Sequence, residues 1–243
     1  MDWSENYSRV NMTEKNTPKV CAYVMTVDSG LAPNPFHGIC TLAVCTPNHM
    51  RANLRKDDWI VGIAGSNLRK KLGHPDQWRI VYAMKIDEQI GLDKYYNDIK
   101  YKKKIPQLTG SRIEMCGDNF YKLIQNELKH TGQTQEHVDV DVEKQDIRGD
   151  RVFIGKDFFY FGSLAIELPH DKSWSEFIVR KFQKLSMGMR YLHGGSSADQ
   201  WNEVDLQDFL EFLQNKKLNV LPMPTDFPDQ GNDVEHIPHP KCS

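Results

Sequence analysis

Short apolar runs broken by Pro, Gly, Asn and Asp fill the first two-thirds of the chain, and helical spacing of apolar residues takes over in the last third. Val20–Val27 is rich in β-branched and aromatic residues and predicts a strand. Ile39–Cys45, Trp59–Ile63 and Ile80–Ile86 predict three more. Leu92 and Tyr95–Tyr96 fall at helical spacing, so a short helix is expected over Gly91–Asp98. Lys100–Ser111 is basic and polar, contains Pro106 and Gly110, and reads as loop. Cys116–His130 supports two readings. Phe120, Leu123, Ile124 and Leu128 match a helix face, while Gly117-Asp118-Asn119 signals a turn leading into a hairpin. His137–Val142 alternates and predicts a short strand, and Arg151–Phe161 is strongly β-like.

After Gly162 the period changes. Ser173 and Glu176 have capping-box spacing, and Phe177, Ile178, Phe182, Leu185, Met189 and Tyr191–Leu192 continue a helical pattern that Gly194–Gly195 would stop. Val204, Leu206, Phe209, Leu210 and Leu213 predict a second amphipathic helix, and the Pro-, Asp- and His-rich tail from Leu221 reads as irregular. The expected organisation is a polar arm over 1–19, a β-rich domain over 20–165, a helical element over 166–220 packed on it, and a tail over 221–243.

Charge changes this picture in one respect. Residues 1–130 hold 19 Lys/Arg against 14 Asp/Glu, whereas residues 131–243 hold 12 against 19. The basic clusters (Arg51, Arg55 and Lys56; Arg69, Lys70 and Lys71; Lys100, Lys102, Lys103 and Lys104) therefore sit in one half, which suits a polyanion-facing surface. The acidic C-terminal helices offer a surface for a protein partner. Five cysteines without framework spacing, a polar N-terminus and no membrane-length apolar run set the expectation of a soluble, cytoplasmic, reducing location.

Three chemistries compete for the Pro/Gly-punctuated stretch from Ala32 to Ile86. His37, Cys40, Cys45 and His49 have metal-binding side chains, but adjacent parity on a strand sends Cys40 and Cys45 to opposite faces, so neither a metal nor another cofactor is expected. His37 beside Gly38 could act as acid or base, with Asp118 and Asn119 as orienting groups. Asp57–Asp58 reads as a turn before a strand. Aromatic and polar loop residues could instead take a nucleobase: Phe36 and Trp59 stacking, Asn34, Ser66 and Asn119 reading edges, Tyr95 and Tyr121 lining the pocket. Arg51, Arg55, Arg69, Lys70 and Lys71 would then hold phosphates.

The words APNPFHGICTLAVCTP (32–47), DDWIVGIAG (57–65), VYAMKI (81–86), CGDNFY (116–121) and DFFYFG (157–162) resemble, in order, the nucleotide modification associated domain 2 family. The resemblance implies a phage or bacterial setting tied to altered DNA bases. A weaker similarity to PUA-like modules such as the EVE and YTH folds implies a small barrel with an aromatic pocket for a modified base. The expected fold is thus α+β: a PUA-like small barrel or a strongly bent mixed sheet, with a helical C-terminal element. The expected function is binding of a modified base, nucleotide or nucleic acid. The rivals are a base-modifying enzyme using His37 and Asp118, and an interaction component of a defence or phage system.

Overall fold

The computed structural model describes residues 17–44, 52–134, 137–183 and 188–227. In chain order the strands are β1 (Val20–Met25), β2 (Cys40–Leu42), β3 (Trp59–Ala64), β4 (Arg79–Lys85), β5 (Glu88–Ile90), β6 (Tyr121–Ile124), β7 (Glu127–His130), β8 (Val152–Gly155), β9 (Phe158–Tyr160), β10 (Ile166–Glu167) and β11 (Arg190–His193). The helices are α1 (Ser66–Lys71), α2 (Leu92–Asn97), α3 (Arg112–Met115), α4 (Val140–Ile147), α5 (Ser173–Gln183) and α6 (Glu203–Asn215). Among the described residues, 3-10 turns span Ile99–Lys104 and Gly162–Leu164.

The main sheet runs β10-β4-β3-β1-β11, with β9 also pairing along β4. Among the described strands only β1 and β3 pair in parallel, in a register that sets Val20 beside Trp59 and Met25 beside Ala64. Period-two alternation then sorts the side chains. Val20, Ala22, Trp59, Val61 and Ile63 enter one core with Trp174, Phe177, Ile178, Phe209 and Leu213 of α5 and α6. Cys21, Met25, Ile60 and Ala64 face the other way, onto Cys40, Leu42 and Phe153 of a smaller antiparallel sheet, β2-β8-β5. That small sheet buries Val152 and Ile154 on its far side against Tyr95, Tyr101, Phe120 and Tyr121. The molecule is therefore layered: helices, main sheet, small sheet, then α2 with the β6-β7 hairpin.

Several expectations are corrected. Among the described residues no sheet closes into a barrel, because β11 and the β9/β10 pair end opposite edges of the main sheet and its faces are covered instead. The PUA-like barrel is thus not formed, and the fold is mixed α+β. His137–Val142 is not a strand. Asp139 accepts from the amides of Asp141 and Val142 and starts α4, while Val138 and Val140 stay exposed. The helix read through Leu192 is described as far as Gln183, Leu185 lies outside the described residues, and Arg190–His193 is instead the strand that pairs with β1. Gly194–Gly195 consequently follows a strand and stops no helix. Ser173 lies inside α5 and its hydroxyl donates to Asp205 of α6, a bond between helices in place of the expected capping box. Cys116–His130 forms the hairpin reading, turning at Gln125 and Asn126 with φ of 51° and 64°. Lys100–Ser111 is not all loop, since Asp98 caps Lys100 N and opens a 3-10 turn.

Candidate functional site

The loop between β1 and β2 is pinned at its base. Asn34 N donates to Thr41 O at 2.8 Å and Thr41 N to Asn34 O at 2.9 Å, which ties the loop back onto β2. Asn34 Nδ2 donates to Cys116 O at 2.7 Å. Lys104, buried with 1% of its surface exposed, directs all three of its protons at this loop. Nζ donates to Asn34 O (2.9 Å), Asn34 Oδ1 (2.6 Å) and Ile39 O (3.0 Å).

Beneath it lies Asp118, fully buried, accepting from Thr41 Oγ1 and Tyr95 OH, each at 2.7 Å. Parity explains Thr41: Cys40 and Leu42 face the main sheet, so Thr41 faces Asp118. Asn119 Nδ2 donates to Tyr95 O and Tyr101 O, and Asn119 N to Lys104 O, joining α2, the 3-10 turn and the Asp118 turn. Gly117 allows this approach, because a Cβ there would strike Lys104 O and stand 2.5 Å from Pro106 N.

Burial penalises both charges. It lowers the Lys104 amine to about 8, against the pull of Asp118, and it raises the Asp118 carboxyl, opposed by Lys104, Thr41 and Tyr95. Burial, reinforced by Asp118, also pushes the Tyr95 phenol well above its ordinary range. Each charge is thus the other's compensation in a low-dielectric interior.

At the loop tip His37 is exposed, with φ of 62°, followed by Gly38 at 79°. Partial desolvation, then the charges of Lys104 and Lys103, hold its imidazole below the ordinary value, while Glu114 pulls the other way. The tip is therefore a neutral imidazole presented to solvent on a loop pinned at its base, within the field of lysines and a carboxylate.

Of the residues singled out in the sequence, Asn34, Tyr95, Asp118 and Asn119 converge in this network, and Phe36 and His37 ride on the same loop. Phe36 is buried, its ring 5.9 Å from that of Phe227. Trp59 lies on the far face of the main sheet, stacked on Phe159 at 6.2 Å under the helices. Tyr121 belongs to a separate cluster: its hydroxyl donates to Asp146 Oδ2 at 3.0 Å, and His137 Nδ1 lies 2.5 Å from the same oxygen. Ser66 is exposed at the start of α1. Arg55 is exposed beside a turn in which Asp58 accepts from the amides of Lys19 and Arg55. Arg69 packs its guanidinium 4.5 Å from the Trp78 ring, Lys70 is exposed, and Lys71 pairs with Asp226. Arg51, Cys45 and His49 lie outside the described residues.

Two groups were missed. Lys104 reads in the sequence as one more member of a solvated lysine run. The available signal is 3-10 spacing, which puts Tyr101 and Lys104 on one face, next to buried Pro106. Asp28 is also buried, accepting from Tyr160 OH at 2.7 Å and from Thr225 N at 2.9 Å, which no local spacing reveals. Among the described residues no three His, Cys, Asp or Glu side chains converge as a metal site.

These features define a mixed α+β protein carrying a surface loop braced from inside by a buried ammonium and carboxylate. The chain belongs to the family described as Nucleotide modification associated domain 2, whose profile matches residues 17–230. The match runs past Gly162 and takes in β11, α5 and α6. No curated protein and no solved structure shows a significant match to the chain. Among the described residues no helix is long and apolar enough to cross a membrane.

Proposed function

We propose that this protein binds a modified nucleobase, as a nucleotide or within a nucleic acid, on the surface carrying the Asn34–Ile39 loop, in a phage or bacterial DNA-modification setting. The family's name supplies the nucleotide context. The observation that carries the site is His37, exposed at the tip of a loop whose base is locked by three bonds from one buried ammonium. A neutral imidazole offers one donor and one acceptor, the complement of a base edge. Lys103, whose charge acts on the imidazole, is exposed and suited to phosphate, as are Arg55 and Lys70 elsewhere on the surface. Asn34, Tyr95, Asp118 and Asn119 hold the loop in place through bonds that also run to Lys104, Thr41, Cys116 and Tyr101.

The lowered pKa of His37 also favours a second reading, acid/base chemistry on the bound base. Asp118 is then a positioning residue, acting on the loop through Lys104.

Titrating standard and modified nucleoside monophosphates into the native chain and into His37→Asn tests both readings. Asn tolerates the left-handed backbone, so the fold is kept. A loss of about tenfold or more in affinity supports the binding site, and equal affinity in the two proteins overturns it. Turnover of a modified nucleotide that disappears in His37→Asn while binding persists establishes the second reading.

A further inference from the structure

The segment Pro222–Phe227 packs against the β1–β2 loop through Asp28 and Phe36. Asp226 Oδ2 accepts from Asp28 N at 2.9 Å, and its Oδ1 pairs with Lys71. Asp226 N donates to Asp28 O at 2.8 Å, and Thr225 donates to Asp28 Oδ2 through its amide (2.9 Å) and its hydroxyl (3.3 Å). The Phe227 ring lies 5.9 Å from that of Phe36, tilted by 49°, and 4.5 Å from the Arg112 guanidinium, and Arg112 Nη2 donates to Phe227 O at 3.2 Å. Ser163 N donates to Met223 O at 2.9 Å. Gly162, with φ of 47°, admits that carbonyl, which would stand 2.5 Å from a Cβ.

The receiving side is thus a cation and a backbone N–H gripping a carboxylate, next to an aromatic ring and a guanidinium gripping a planar ring. That donor set, Lys71 and Asp28 N–H for an anion, Phe36 and Arg112 for a flat π-system, suits a phosphate joined to a base. The two places are filled by consecutive residues of one segment. We infer that Asp226–Phe227 is a built-in stand-in for a nucleoside monophosphate and that this subsite opens only when the segment lifts. The inference rests on the nucleotide-binding reading above and deepens it. It also accounts for Phe36, whose ring meets a base only once Phe227 has left.

An occupant held on the same chain lowers apparent affinity by the fraction of molecules in which the site is closed. Thymidine and adenosine monophosphate titrated into the native full-length chain and into D226A/F227A measure that fraction. The expected result is affinity at least tenfold tighter in D226A/F227A, with the gain removed by adding Lys71→Ala. In the native chain, saturating nucleotide should also speed hydrogen exchange of the Thr225 and Asp226 amides. Equal nucleotide affinity in both proteins, or unchanged exchange at saturation, overturns the inference and leaves the nucleotide reading standing. No binding by either protein overturns both.

Discussion

Lys104 Nζ lies 2.6 Å from Asn34 Oδ1 and 2.9 Å from Asn34 O, so one ammonium holds both the side chain and the main chain of one asparagine. Asp118 supplies the opposite charge from below. Removing one partner strands the other. Lys104→Met leaves three buried acceptors and a carboxylate without their cation, at a cost of about 3–5 kcal/mol. Asp118→Asn alone should also destabilise, and the double variant should cost less than the sum of the two, with a coupling of about 1–3 kcal/mol. Urea unfolding midpoints of the four proteins give this cycle, and strict additivity would show that the two groups are not paired.

Stability should depend on pH above neutrality in a defined sense. The Lys104 amine titrates at about 8 in the folded protein and near its ordinary value, about 10.4, in the unfolded chain. Above 8 the unfolded state therefore binds more protons, and the Lys104 contribution to stability rises with pH. Cys40, raised by burial to about 12, works in the opposite sense once the unfolded thiol begins to ionise. Cys21, also raised by burial, adds to that opposition, so the Lys104 effect is isolated in C21A/C40A, where unfolding free energy should gain about 1 kcal/mol over the pH unit above 8. A fall over that interval would contradict the assignment.

Nucleotide binding should weaken on mild acidification. His37 is neutral at pH 7, and protonation through its lowered range turns the ring acceptor that pairs with a base edge into a second donor. Affinity for the nucleotide then falls as pH falls, and His37→Asn should flatten the profile. An identical profile in the two proteins would show that the imidazole does not contact the base.

The β6-β7 turn offers a separate test of the fold. Gln125 and Asn126 both occupy positive φ, the geometry that Asn-Gly satisfies best. Gln125→Asn with Asn126→Gly should stabilise the protein by about 0.5–1 kcal/mol, read from the thermal midpoint. Destabilisation would argue against this turn.

Much of the fold is legible where one physical signal dominates. Trp59–Ala64 and Arg79–Lys85 are apolar enough to be buried on both faces, and they read as strands from the sequence alone. Arg190–His193 is not legible in that way. Its Tyr-Leu pair continues the spacing of α5, and only the open edge of β1, more than 160 positions earlier, makes it a strand. At the site, the turn-forming Asn34 and Gly117-Asp118-Asn119 are visible because turns have a chemistry of their own. Burial of Lys104 depends on what the Asn34 loop does above it, so its neighbours in sequence conceal it. The same holds for Asp28, whose partners Tyr160 and Thr225 come from distant segments.

The central claim is that a nucleotide sits on the Asn34–Ile39 loop. Ultraviolet crosslinking of a bound nucleotide to the native chain, with the adduct mapped by mass spectrometry, tests it most directly. The account predicts adducts on Phe36 or His37, with a second set near Arg112. Adducts confined to α1, or to α5 and α6, would contradict it.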